Sequence, residues 1–260
     1  MLGELLEYIN KRLGLFPVFG IELEFYVEEV DQRKINLLFT KISENMNVSF
    51  NKEISENQYE LKTSTYTKLK ILVQHLNLAK EIIFERISSL KGKVSFEAKP
   101  YINKAGSALN VHISLLDFNN CNVFADLDSQ QKNYFLYSVG GLCALMKKHM
   151  LCFAPNDSSY LRYKYPDINT PTTVSWGGNN RTTAIRLPYT AGDKQKYRLE
   201  HRVPGADSDG ESVFTALLKG IIYGIEEKVN PPFKVYGIAS DPQYSMDKLP
   251  ISINEAMLSA

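Results

Sequence analysis

The sequence predicts an α+β fold, an antiparallel sheet flanked by helices, on three observations. Short segments at 20–27, 94–98, 109–115 and 197–203 alternate apolar and polar residues with the period of a half-buried strand. Two longer segments, 67–90 and 211–229, repeat apolar residues at helical spacing. Strands and helices then follow one another without regular βαβ spacing, which argues against a parallel, doubly wound sheet.

Taken in order, Leu2 to Leu13 carries Leu2, Leu5, Leu6, Ile9 and Leu13 on one side, a short helix closed by Gly14. In Gly20–Val27, Ile21, Leu23, Phe25 and Val27 share one strand face, while Glu22 and Glu24 share the other at about 7 Å. Two carboxylates so placed either face solvent or hold a cation or arginine between them. Glu53 and Glu60 form a second acidic pair across a polar stretch. The helix at 67–90 aligns Leu69, Leu72, Val73, Leu76, Ala79, Ile83, Ile87 and Leu90, with His75 and Lys80 as flanking residues. Val94–Ala98 is a strand. A small-residue turn around Gly106 leads to another strand, which sets Asn110, His112 and Ser114 on one face.

Asp128 or Ser129 can cap a helix reaching about Met150, in which Gly140 and Gly141 suggest close packing of another backbone. Ser159-Tyr160-Leu161-Arg162 opens a polar loop to Pro171, a suitable place for binding groups. The stretch 170–202 holds the only tryptophan, Trp176, with Arg181 and Arg186, and closes on Arg198, Glu200 and Arg202, which alternate along one strand face. Two guanidiniums around one carboxylate suit a polyanion site with a cation, or a plain salt-bridged strand. The last long helix stops before Pro231-Pro232, and Ser252-Ile253-Asn254-Glu255 is a capping-box pattern for a short final helix.

Composition narrows the function classes. Thirty Lys and Arg against 29 Asp and Glu leave a net charge of +1, which does not mark a nucleic-acid surface. No apolar run reaches membrane-spanning length, so a membrane is not expected as partner. The start, Met1-Leu2-Gly3-Glu4, lacks signal-peptide character, and three cysteines without paired spacing read as free thiols in a reducing cytoplasm. No internal repeat or low-complexity linker appears, so residues 1–260 read as a single domain.

These segments, in this order, resemble the catalytic domain of the glutamine synthetase family. The resemblance runs from Gly20 to the end. It rests on Gly20-Ile21-Glu22-Leu23-Glu24-Phe25, on Glu53 with Gln58-Tyr59-Glu60, on Lys99-Pro100 leading to Gly106-Ser107 and His112-Ile113-Ser114, on Ser159-Tyr160-Leu161-Arg162, on Trp176 through Pro188, and on Arg198-Leu199-Glu200-His201-Arg202. It implies a partial barrel of antiparallel strands. It also implies an ATP-dependent ligase that joins a small-molecule carboxylate to an amine through an acyl phosphate, with Mg2+ or Mn2+. By that likeness Glu24, Glu53 and Glu60 hold a cation on the substrate side, and Glu22 and Glu200 hold one on the phosphates. Ser114, Arg198 and Arg186 serve the nucleotide. Arg162, Gly106 and His112 serve the substrate, and Arg181 and Arg202 the phosphoryl group in transfer.

The chain also departs from the family pattern. Asn110 stands where the family has a metal-binding histidine, so an amide oxygen is the expected ligand there. Asn169 falls near the family's amine-deprotonating glutamate, and Asn is no general base; Asp167 is the expected substitute. Ala105 replaces the family's glutamate-binding Asn. The family's N-terminal sheet domain and C-terminal helices are not expected in this chain. Two functions fit: a compact ligase acting on glutamate or a related carboxylate, or a non-catalytic nucleotide-binding relative or subunit completed by a partner protein. A homo-oligomer fits either.

Overall fold

The computed structural model describes residues 1–125 and 133–260. Helix α1 (Leu2–Tyr8) runs into a π-helical turn, Ile9–Leu13, and stops at Gly14, whose φ of 67° is left-handed and favours glycine. Strand β1 (Phe16–Glu28) follows, then α2 (Gln32–Met46), the hairpin β2 (Val48–Lys52) and β3 (Gln58–Thr63), α3 (Leu69–Ser89), β4 (Lys93–Ser95) and β5 (Leu109–Leu116). The second half contributes α4 (Tyr134–Leu145), α5 (Met150–Phe153), α6 (Leu161–Lys164), β6 (Trp176–Gly177), β7 (Ile185–Arg186), β8 (Leu199–His201), α7 (Gly210–Glu226) and α8 (Ile253–Ser259).

The strands form one open sheet in the order β2-β3-β1-β5-β8-β7-β6, with β4 paired to β1. The sheet is antiparallel as expected, apart from β6 and β7, which pair in parallel. Period-two alternation splits β1 into two surfaces. Phe19, Ile21, Leu23, Phe25 and Val27 are buried against the helices. Phe19 meets Phe214 of α7 edge-on at 5.3 Å, and Phe25 meets Phe39 of α2 at 6.0 Å. Leu69, Leu72, Leu76, Ala79, Ile83 and Ile87 of α3 join the same core. Each leucine, isoleucine, valine or phenylalanine among them contributes about 1.5–3 kcal/mol by leaving water. That face anchors β1, and the opposite face is left to present Glu22 and Glu24.

Several expectations need correction. Helix α2 is absent from the elements predicted above, although Asp31 caps it by accepting from Arg33 N at 2.8 Å and Ile35, Phe39 and Ile42 recur at helical spacing. The strand expected at Val94–Ala98 is only Lys93–Ser95, because Ala98 instead pairs its carbonyl with Ser107 N. The helix expected to reach Met150 ends at Leu145. A 3₁₀ turn, Lys147–His149, and α5 follow, where two lysines and a histidine in a row interrupt the apolar face. Asn133 caps α4, accepting from Leu136 N at 2.9 Å; the expected cap at Asp128 or Ser129 lies outside the described residues. The polar loop expected from Ser159 begins as a 3₁₀ turn and the helical turn α6, so Arg162 projects from a helix. Ser252 caps α8 as expected, accepting from Glu255 N, while Glu255 reaches back to Ile251 N.

Helices α4 and α7 pack with unusual closeness. A Cβ on Gly141 would lie 2.0 Å from Gly220 O, and one on Gly224 2.0 Å from Tyr137 O. Among the described residues no helix is long and apolar enough to cross a membrane. The three cysteines are free thiols.

Candidate active site

Sheet register assembles the polar face. β1 sets Glu22 opposite Lys62 of β3 and Asn110 of β5, and Glu24 opposite Glu60. β8 sets Glu200 opposite His112 on one side and Arg186 of β7 on the other. Because side chains on paired positions share a face, these residues, His112 excepted, line one cleft with Glu53, Gly106, Arg162, Asp167, Asn169, Arg181 and Arg202. Five glutamates and four arginines from distant parts of the sequence therefore converge.

The carboxylates divide into two groups. Ligand atoms of Glu22, His112 and Glu200 lie within 4.8 Å of one another, as do those of Glu24, Glu53 and Glu60. In the first group Glu200, fully buried, is clamped by Arg186 Nε and by Arg202, whose Nη1 donates at 2.7 Å. Burial works to raise its pKa, but Arg202, His112 and Arg186 outweigh it and hold the carboxyl low. Glu22 is likewise held well below the usual carboxylate range. The His112 ring at 3.1 Å and the Lys62 ammonium at 2.9 Å overcome its burial.

The second group has fewer positive neighbours. Glu24 accepts from Ala108 N at 2.8 Å and from Asn110 Nδ2 at 3.3 Å, both neutral donors. Burial pushes its pKa up to about 7, against the pull of Arg162. Burial and the Glu22 carboxylate raise Glu60 to about 8, although Lys62 Nζ stands 2.9 Å away. The Glu53 carboxylate has no donor among the described residues, and Asn110 Oδ1 is buried without one. Three clustered carboxylates with an orphaned amide oxygen beside them are a donor set fitted to a hard divalent cation such as Mg2+ or Mn2+.

The structure also places the other residues named from the sequence. Arg181 is exposed at the cleft, without a hydrogen-bond or ion-pair partner among the described residues. Arg162 spends its terminal nitrogens on the carbonyls of Val203 (2.7 Å) and Arg202 (3.1 Å), which ties α6 to the strand exit. Gly106 is required beneath it, since a Cβ there would sit 2.9 Å from Arg162 Cγ. Arg198 donates from Nε to His112 Nδ1 at 3.2 Å, at the edge of the first group. Ser114 lies one period beyond His112 on β5, half-buried and outside the lining. His112, expected at the substrate, stands with Glu22 and Glu200, and Asn110, expected among the ligands, contacts Glu24.

Asp167 lines the cleft but is poorly suited to the base role expected of it. It accepts from Gly106 N, Asn169 N and Thr170 Oγ1, each at 2.9 Å. Burial opposes ionisation there, yet these bonds and Arg162 hold its pKa below normal, so it binds a proton weakly. The residue that sequence reasoning missed is Lys62. The alternation Glu60-Leu61-Lys62 already placed it on the acidic face.

Directly behind the cleft, His201 is fully buried, with neither ring nitrogen partnered among the described residues and its ring 4.9 Å from that of Phe153. Burial pushes its pKa down to about 3. The unfolded chain takes up a proton here below about pH 6.5 that the folded chain refuses. Stability should therefore fall as pH drops, by up to about 1.4 kcal/mol per unit below pH 6.5. Urea midpoints at pH 7, 6 and 5 should drop in the parent and much less in His201→Phe. Equal slopes would refute the assignment.

Comparison with known proteins accords with this geometry. The family model for the glutamine synthetase catalytic domain matches residues 38–259. The γ-glutamylputrescine synthetase PuuA of Escherichia coli K12 is 37% identical over 139 residues, 54% of this chain and 29% of that protein. A glutamate–isopropylamine ligase from Pseudomonas is 32% identical over 195 residues, 73% of this chain and 41% of that protein. The chain thus spans well under half the length of these curated relatives. The Plasmodium falciparum glutamine synthetase structure superposes with a TM-score of 0.85 at 17% identity, over 99% of this chain and 69% of that one, and so shares its fold. On the extent of the family match, the chain belongs to the glutamine synthetase family, within its catalytic domain.

Proposed function

We propose that the cleft binds ATP and a small-molecule carboxylate, glutamate or a related acid, and joins that carboxylate to an amine. The observation that carries this reading is the convergence of five glutamates and four arginines in one cleft. The substrate carboxylate attacks the γ-phosphorus, ADP leaves, and an acyl phosphate forms. The amine then attacks the carbonyl carbon, and phosphate departs with the former carboxylate oxygen. The names of the two curated relatives specify a γ-glutamyl amine and a glutamate–amine ligation, which supports glutamate as the acid and an alkylamine as the nucleophile.

Glu24, Glu53 and Glu60, with Asn110 beside them, would hold Mg2+ or Mn2+; Glu22 and Glu200 border the same space. Bound there, the cation supplies charge that offsets the phosphates during in-line transfer. Arg181, unpaired among the described residues, is a guanidinium free to take the transferring phosphoryl group. Arg202 and Arg186, fixed by Glu200, present positive charge without reorganising. Arg198 and Ser114 would serve the nucleotide. Gly106 and Arg162 shape the substrate side, and Asp167 positions them by tying Gly106 to the 167–170 turn.

A second reading, nucleotide binding without turnover, is favoured by the absence of a titratable group at Asn169 and the saturated carboxylate of Asp167. ADP release from ATP with Mg2+, measured over glutamate and related acids combined with a panel of amines, separates the two. The ligase reading expects release that requires both acid and amine and falls at least about 100-fold in Arg181→Ala. Nucleotide binding with no release for any pair would establish the second reading. Release only after a second protein is added would identify a partner-completed subunit.

A further inference from the structure

The Lys62 ammonium stands where the two acidic groups meet. Its Nζ is 2.9 Å from Glu22 Oε1, which belongs to one group, and 2.9 Å from Glu60 Oε1, which belongs to the other. A point charge at that distance from two carboxylate oxygens does part of what a bound cation would do. It also occupies the space through which a second ion would have to bridge.

The two groups are not equally in need of a cation. Both carboxylates of the first are already matched by side-chain cations, Glu22 by Lys62 and Glu200 by Arg186 and Arg202. Its histidine is not free to ligate. Arg198 Nε is a donor only, so His112 Nδ1 must accept, and in the neutral ring the proton then sits on Nε2, which stands 3.1 Å from Glu22 Oε1 but makes no hydrogen bond among the described residues. A ring nitrogen bearing a proton has no lone pair for a metal. In the second group, three carboxylates share one ammonium, Glu53 has no partner among the described residues, and the buried Asn110 Oδ1 lacks a donor. The whole lining carries six acids against five bases. One divalent cation already makes it net positive before any phosphate binds.

We propose that Lys62 acts as a built-in monovalent cation, so that the cleft takes one divalent ion, at Glu24, Glu53 and Glu60, rather than two. This rests on the divalent-cation reading of the cleft, which the same experiment tests separately. By taking the second position, Lys62 would make part of the charge compensation a covalent feature of the chain, independent of metal supply.

The test is Mn2+ titration of the full chain without nucleotide, followed by electron paramagnetic resonance of free Mn2+ and by calorimetry, with circular dichroism and thermal scans confirming that each variant is folded. The parent is expected to bind about one Mn2+ per chain, Lys62→Met about two, the second between Glu22 and Glu60 in the position the ammonium leaves, and Lys62→Arg about one, because the guanidinium restores the charge. Glu53→Gln should weaken the parent's ion at least about tenfold. Two ions in both parent and Lys62→Met, or one in both, would overturn the role given to Lys62 while leaving the cation reading intact. Full retention of the ion in Glu53→Gln would overturn its placement. No binding in any folded variant would overturn both this inference and the cation reading it rests on.

Discussion

Replacing Glu200 with Ala is expected to remove activity and to cost about 3–5 kcal/mol of stability, the usual penalty for leaving buried charge unpaired. Glu200 is wholly buried, and it is the acid that both Arg186 and Arg202 contact. Arg202 is itself buried, with its second terminal nitrogen on the Asn169 carbonyl at 3.1 Å. Without the carboxylate, two guanidiniums face each other across a void in a place water reaches poorly. Glu200→Gln keeps the volume and one acceptor, so it should recover part of the stability and none of the turnover. Urea unfolding measures the first effect and ADP release the second. A loss below about 1 kcal/mol in Glu200→Ala would mean the three residues behave as a surface ion pair.

Gly141→Ala should be as damaging for a wholly apolar reason. The added Cβ would stand 2.0 Å from Gly220 O and 2.5 Å from Gly224 Cα, and neither backbone atom can swing aside as a side chain could. Helices α4 and α7 would have to separate, opening the contact between Gly141 and the buried face of α7 that carries Leu217, Leu218 and Ile221. Overpacking of this kind costs about 1–3 kcal/mol when side chains yield, and the rigid backbone puts this case at the upper end or beyond. Gly178→Ala is the matched control, since a Cβ there meets nothing within 4 Å. Urea midpoints should fall sharply for the first and hardly move for the second. Equal midpoints would show that the helices have slack.

What the sequence made legible follows from how each residue is fixed. Glu22 with Glu24, Asn110 with His112, and Glu200 with Arg198 and Arg202 could each be placed on one face of their own strand because strand alternation is a two-residue rule that needs no tertiary knowledge. Gly140 and Gly141 announced a close backbone approach for the same local reason, although the partner helix could only be seen in three dimensions. The pairing of His112 with Glu200 and of Glu60 with Glu24 depends on register between segments far apart in the chain, which composition does not encode. Asp167 looked like a spare base because its three donors, from Gly106, Asn169 and Thr170, are gathered by the fold. Lys62 carried a readable signal, but an isolated lysine after a strand glutamate gains meaning only once Glu22 is seen on its other side. Strands β6 and β7 are only two residues each, since turns at Asn180 and Thr183 use side-chain hydrogen bonds to the backbone in place of ladder bonds.

The claim beneath all of this is that the cleft activates a carboxylate by phosphorylating it. Glutamate labelled with 18O in its side-chain carboxylate, turned over with ATP, Mg2+ and the best amine of the panel, tests it directly by mass analysis of the released phosphate. Each released phosphate is expected to carry one labelled oxygen, taken with it when the amine displaces phosphate from the acyl phosphate. Amide formation with unlabelled phosphate would contradict it, because the carboxylate oxygen would then never have been bonded to phosphorus.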